Sequence, residues 1–184
     1  WKMTRILGDP MSAPPPSAKH IFYCCGFLEV IALSINAVTM SPLTFEMFMP
    51  YHLKYTSLVL TWWGGTYWGL HVARYGPLAN QACVNLRIAM GVLAIGCGCA
   101  GLILADGVAG LGPWPSYLVL GTGFSAMIGV DALLHRHQMI PPWLLKWKGG
   151  IGGLIIASLV LGFVRGQYLE QNAMRFIMEE AEGL

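Results

Sequence analysis

The amino-acid sequence predicts an all-α integral membrane protein: a bundle of five transmembrane helices with an extended N-terminal arm and an amphipathic C-terminal tail. Of its 184 residues, 55% are hydrophobic and only 11% are charged. A soluble domain carries about 25% charged residues, so this chain has too few to cover itself with polar surface. Five apolar stretches also approach the roughly 20 residues that a bilayer-crossing helix needs. Together these observations favour the membrane class.

The N-terminal arm is predicted to cover residues 1–20. Pro10 and the triple proline at residues 14–16 deny a helix its amide donors and hold the backbone extended. The chain begins at Trp1 rather than at methionine, as expected either of a chain from which an organellar targeting peptide has been removed or of a sequence truncated for another reason.

The transmembrane domain is predicted to cover residues 21–165. The connection at residues 40–52 is aromatic and contains Pro50, so we expect it to lie along the membrane interface. Glycine and proline mark the next two connections, and the fourth, residues 135–148, contains two prolines and three basic residues. The five predicted spans are residues 21–39, 53–72, 88–105, 117–134 and 149–164.

The polar C-terminal tail is predicted to cover residues 166–184. Met174, Phe176, Ile177 and Ala181 can share one face of a helix there. We therefore expect a short amphipathic helix on the membrane surface.

The orientation follows from the distribution of basic residues. With five spans, eight of the eleven lysine and arginine residues fall on the side of the N-terminus. An excess of basic residues marks the side from which a membrane protein is inserted, so the N-terminus is predicted to face the matrix, the stroma or the cytoplasm. The eight are Lys2, Arg5, Lys19, Arg74, Arg87, Arg136, Lys146 and Lys148; Lys54, Arg165 and Arg175 lie on the other side.

The stretch YTSLVLTWWGGTYWGL, residues 55–70, combines three tryptophans with three glycines and carries no charge. Small residues let membrane helices approach closely, and Gly65 and Gly69 have the GxxxG spacing of such a contact. The span is therefore predicted to be the packing centre of the bundle, with bulky rings filling the space beside a thin helix. The predicted packing residues are Gly64, Gly65, Trp68 and Gly69, with Trp62 and Trp63 beside them.

A structural polar clamp is predicted at the inner ends of the spans. Asp131 lies near the inner end of the fourth span, where Arg74 closes the second span and Arg87 opens the third. Arginine can hold a carboxylate through paired hydrogen bonds. We expect Arg74 to be the partner of Asp131, with Arg87 as the reserve.

Glu29 and His71 are the remaining polar candidates at membrane depth. Glu29 lies near the middle of the first span, where an ionisable group is expensive. It could belong to a proton path, be neutral and hydrogen-bonded, or pair with a basic residue of another subunit; a structural role is favoured. His71 with His135 or His137 could ligate haem, but the last two lie in a predicted wet loop.

The same glycine–tryptophan stretch resembles the signature of an uncharacterised membrane family, domain of unknown function 3429, whose animal members are called transmembrane protein 69. The family pattern is a tyrosine, an apolar run, Gly-Gly, two residues and Trp-Gly. Tyr55, Gly64, Gly65, Trp68 and Gly69 occupy those positions.

A second family block has an aspartate closing one helix and Pro-x-Trp opening the next, which Asp131 and residues 140–148 match. The chain departs from the family pattern at three positions. Tyr67 replaces a frequent histidine, Lys148 an arginine and Gly152 a threonine. The resemblance implies a compact integral membrane protein found in bacteria and in mitochondria, and no established activity.

The function that these features favour is a non-catalytic accessory subunit of a mitochondrial inner-membrane complex, most of all one of the respiratory chain. Its expected partners are other membrane subunits and phospholipids such as cardiolipin. No catalytic residue, metal ligand or cofactor site is expected, and a scattered net charge of +2 gives no reason to expect nucleic acid. The alternative is a small transporter or channel using Glu29 and Asp131.

Overall fold

The fold is entirely α-helical over the residues that the computed structural model describes, which are 16–37, 42–77, 79–107 and 113–182. The predicted all-α class is therefore confirmed. The five helices are α1 (Pro16–Ala37), α2 (Pro42–Val72), α3 (Gln81–Leu104), α4 (Trp114–Arg136) and α5 (Pro142–Glu182).

Three described helices are long and apolar enough to cross a membrane: α3, α4 and residues Pro142–Asn172 of α5. Length and composition therefore support the membrane class, but they do not support the predicted count of five spans. For α2 the physical reason is visible in its sequence. Its first half carries Glu46, His52 and Lys54, and its second half combines three glycines with threonine and tyrosine, so the helix is long without being uniformly aliphatic.

Prolines mark the beginnings of four helices. Pro16, Pro42 and Pro142 are the first residues of α1, α2 and α5, and Pro115 lies in the first turn of α4. The first amides of a helix have no internal acceptor, so proline loses no hydrogen bond there. The predicted arm therefore ends earlier than residue 20, since residues 16–20 are already helical; residues 1–15 lie outside the described part.

Helix α2 also begins earlier than predicted. It starts at Pro42 and runs for 31 residues through Pro50, where the sequence predicted a broken connection along the interface. Pro50 removes one backbone hydrogen bond, the one to the carbonyl of Glu46. The turns on both sides are held by buried side chains, Phe45 and Leu53, so the helix continues past that loss.

Helices α2 and α4 end in the same left-handed turn. Arg74 and Gln138 have φ angles of 51° and 57°. In both turns the next backbone amide donates to the carbonyl five residues earlier, at 3.0 and 2.9 Å. This is the Schellman arrangement, which satisfies helix carbonyls that would otherwise have no donor.

Helix α5 runs without interruption from Pro142 to Glu182, which is 41 residues. The predicted boundary between the last span and the tail is therefore not a break in the chain. Gly166, which could have ended the helix, is buried with its bare backbone against the ring of Trp114. Of the side chains predicted to form the apolar face of the tail, that of Met174 is described and exposed. Those of Phe176, Ile177 and Ala181 lie outside the described part of the structure.

Helix α2 lies at the centre of the bundle, because it contacts each of the other four helices. This agrees with the prediction from its glycine–tryptophan stretch. Around it, α3 packs against α4, α4 against α5, and α5 against α1. The side chains that point inward from α2 therefore decide which groups can meet in the interior.

Candidate functional site

A seam of small residues joins α2 to α3. A Cβ atom added to Gly64 would lie 2.8 Å from the carbonyl oxygen of Gly91 and 3.1 Å from the Cβ of Ala94. One added to Gly65 or Gly69 would meet nothing within 4 Å. The predicted GxxxG contact is therefore corrected: the close approach uses Gly64, while Gly65 and Gly69 face outward.

The tryptophans of α2 divide in the same way. Trp63 is fully buried, with its ring 5.2 Å from that of Phe124 and its edge against the backbone of Gly152. Trp62 and Trp68 are 38% and 41% exposed. Trp63 is therefore the core residue of the three, and its ring forms one wall of the site described next. Trp68 is partly exposed but packs as predicted, with its indole against Gly91 of α3.

A buried ionic centre lies where α2, α4 and α5 meet. The ammonium nitrogen of Lys148 is 3.0 Å from Oδ2 of Asp131, and both side chains are 1% exposed. Tyr67 donates its hydroxyl hydrogen to Oδ1 of the same carboxylate, at an O–O distance of 2.5 Å. Each of the three helices thus contributes one polar side chain to a centre closed to solvent.

Aromatic rings complete the surroundings of the Lys148 ammonium group. It lies 4.3 Å from the ring centroid of Tyr67 and 5.4 Å from that of Trp63. The faces of aromatic rings attract cations, most strongly where water is absent. The carboxylate and the two rings together replace the water that the lysine leaves behind on burial.

This centre corrects the predicted clamp, because Asp131 pairs with Lys148 and not with Arg74 or Arg87. Arg74 is exposed at the left-handed end of α2. Lys148 was missed because residues 143–148 were assigned to a loop. They are the first turns of α5, which begins at Pro142. The apolar residues on both sides of Lys146 and Lys148 are the signal that could have extended the helix to include Lys148.

Arg87 is fully buried and holds two loops together. Its Nη1 donates to the carbonyl oxygen of Tyr75 at 2.8 Å and lies 3.5 Å from that of Met139. Gly76, with φ 86°, leaves no room for a side chain against Met139. Arg87 therefore fastens the α2–α3 loop to the α4–α5 loop, at the same end of the bundle as the ionic centre.

A second buried polar cluster surrounds Glu29. Nε2 of His52 lies 3.7 Å from the Glu29 carboxylate and 3.1 Å from the hydroxyl of Ser158. The three side chains come from α1, α2 and α5 and are at most 3% exposed. Phe48 stacks on the imidazole ring. Glu29 is therefore not isolated, which the sequence could not show because its neighbours are far away along the chain.

The two polar clusters are separated by an apolar layer. Lys148 and Ser158 lie ten residues apart on α5, which is about 15 Å along the helix axis. Ile151 and Ile155, which lie between them along α5, are buried core residues. The two clusters are therefore at different levels of the bundle, with apolar side chains of α5 between them.

His71 belongs to neither cluster. It is half-buried near the end of α2, and its Nδ1 has no hydrogen-bond partner in the described part of the chain. His135, its predicted haem partner, instead places Nδ1 3.3 Å from the carbonyl oxygen of Ile140. Over the described residues, no three histidine, cysteine or acidic side chains come together as metal ligands.

Comparison with family models, curated proteins and solved structures finds no match for this chain. The interpretation of the two clusters therefore depends on their own geometry.

Proposed function

We propose that this chain is a non-catalytic accessory subunit of a membrane complex. The carrying observation is that the buried Lys148 and Asp131 are paired with each other inside the bundle, with Tyr67 donating to the same carboxylate. The two grooves described between its helices are open and lined mostly by apolar side chains. A closed interior with apolar outer surfaces suits a protein that packs against lipid and other helices.

The location proposed for this subunit is the mitochondrial inner membrane, with five spans and the N-terminus in the matrix. The support is the asymmetry of the basic residues and the resemblance of the glycine–tryptophan stretch to the membrane family named above. A respiratory chain complex is the first assembly to test, and ATP synthase the second, since both recruit small membrane subunits.

Native gel electrophoresis tests this proposal. Mitochondrial membranes carrying the tagged chain are solubilised in mild detergent, and we expect the tag to migrate with a large respiratory assembly. A Gly64→Leu variant, in which α2 cannot approach α3, should lose this migration, whereas Gly65→Leu should keep it. A wild-type chain that migrates only as a small free oligomer would contradict the proposal.

A second candidate function, a small transporter or channel for protons, is favoured by one specific observation. Glu29 and His52 are buried acid and base side chains 3.7 Å apart, and neither Glu29 oxygen accepts a hydrogen bond among the described residues. Ionisable groups at membrane depth commonly belong to proton relays. Asp131, the other acid in this hypothesis, already has two close partners.

Proton flux into vesicles separates the two candidates. The purified chain is reconstituted with a pH-sensitive dye inside, and a potassium diffusion potential drives protons inward. For an accessory subunit we expect the rate of the empty vesicles. A faster rate that Glu29→Gln abolishes and Glu46→Gln leaves intact would favour the transporter, because Glu46 is an exposed glutamate of α2.

A further inference from the structure

An open groove runs between α1 and α5 and has a volume of about 420 Å³. The two helices begin at the same end of the bundle. The ring of Tyr23 lies 4.9 Å from that of Trp147, and a Cβ added to Gly26 would lie 3.7 Å from Ile151. The two helices therefore run parallel, and their residues line the groove in the same order from one end to the other.

The α5 wall changes its chemistry along the groove. Lys146 and Trp147 are its first lining residues, followed one turn later by Gly150 and Ile151, and finally by Leu154. From Lys146 to Leu154 the groove extends about 12 Å along the helix axis. This is close to the roughly 15 Å of hydrocarbon in one leaflet of a bilayer.

The α1 wall repeats the same order. Tyr23, Gly26, Phe27 and Val30 line the groove. Lys19 is exposed one turn before Tyr23, at the four-residue spacing that places two side chains on one helix face. The α5 wall thus begins with a lysine, and an exposed lysine precedes the α1 wall by one turn. Both walls continue with an aromatic ring and a glycine and end in apolar side chains.

We infer that this groove binds one anionic phospholipid, with an acyl chain against Gly26, Gly150 and Leu154 and the phosphate between Lys19 and Lys146. Neither lysine forms an ion pair within the described residues, so both are available to an anion. Basic pockets between membrane helices recognise anionic headgroups, and tryptophan and tyrosine favour the headgroup level. The inference requires that α1 and α5 lie side by side in a bilayer, and it does not depend on the accessory-subunit proposal.

Quenching of tryptophan fluorescence by brominated lipid tests this site. The purified chain is reconstituted in phosphatidylcholine vesicles in which either phosphatidylglycerol or part of the phosphatidylcholine carries bromine on its acyl chains. We expect phosphatidylglycerol to quench more at equal mole fraction. Trp147→Phe should remove this excess, because Trp147 is the tryptophan that lines the groove.

Two matched pairs of variants locate the lipid. Gly150→Leu fills the groove, whereas Gly153→Leu adds the same side chain outside it, and an added Cβ meets nothing within 4 Å at either glycine. Only Gly150→Leu should abolish the preference for phosphatidylglycerol. Lys146→Gln should lower it about fivefold, and Arg175→Gln, at an exposed position far along α5, should leave it unchanged.

Three results would overturn the inference. Equal quenching by the two lipids in the wild-type chain would mean that the groove does not select an anionic headgroup. A preference that survives Gly150→Leu or Trp147→Phe would place the lipid elsewhere. If neither lipid quenches Trp147, another helix occupies the groove, such as one from a second copy of the chain.

Discussion

Lys148→Met is expected to destabilise the bundle by about 3–5 kcal/mol, the usual result of removing one member of a buried ion pair. Methionine fills a similar volume, so the loss is not mainly one of packing. It leaves the Asp131 carboxylate buried beside the Tyr67 hydroxyl without its cation. Asp131→Asn should cost a similar amount, because it leaves the buried lysine with only the two ring faces.

The double variant Asp131→Asn with Lys148→Met should lose much less than the sum of the two single losses. No buried charge remains in it, and the Tyr67 hydroxyl can still donate to the amide oxygen at position 131. Thermal unfolding in one detergent, followed by circular dichroism, gives the stability of the wild-type chain, the two single variants and the double variant. The difference from additivity is the coupling between the two side chains.

Arg74 supplies the control for this cycle. Its side chain is exposed, so Arg74→Met should change stability by no more than about 0.5 kcal/mol and should show no coupling to Asp131→Asn. Coupling of Asp131 to Arg74, together with additivity of Asp131 and Lys148, would instead restore the clamp that the sequence predicted.

Gly64→Leu is expected to separate α2 from α3 and to cost more than the roughly 1–3 kcal/mol that extra methylene groups usually cost in a packed core. The first atom that a side chain at position 64 meets is the carbonyl oxygen of Gly91, at 2.8 Å. That oxygen belongs to the backbone of α3 and cannot turn aside as a flexible side chain could.

Gly65→Leu is the matched control, one residue further along the same helix. An added Cβ there meets nothing within 4 Å, so the change should alter stability by no more than about 0.5 kcal/mol. The unfolding temperature of the two variants in detergent gives the comparison. Equal losses, or a larger loss for Gly65→Leu, would show that the seam uses the face that the GxxxG spacing predicted.

Composition and the run of apolar residues by themselves determined the helical class and predicted helices long and apolar enough to cross a membrane, of which the described residues contain three. A backbone in lipid must satisfy its own hydrogen bonds, which favours helices for a chain of this composition. The central position of α2 also followed from sequence, because glycine beside tryptophan is useful only where helices pack closely. The starts of helices at Pro16, Pro42 and Pro142 were misassigned, since proline breaks a helix in its interior but not in its first turn.

Only the tertiary structure decided which side chains meet. Successive residues point about 100° apart around a helix, so the rotation of α2 about its own axis decides whether Gly64 or Gly65 is the contact residue. The partner of Asp131 depends on how α5 crosses α4, which brings Lys148 rather than an arginine beside it. Glu29 likewise acquires His52 and Ser158 from two other helices. Sequence spacing describes neighbours along one helix, whereas contacts between helices depend on rotation, tilt and register set by the whole packed bundle.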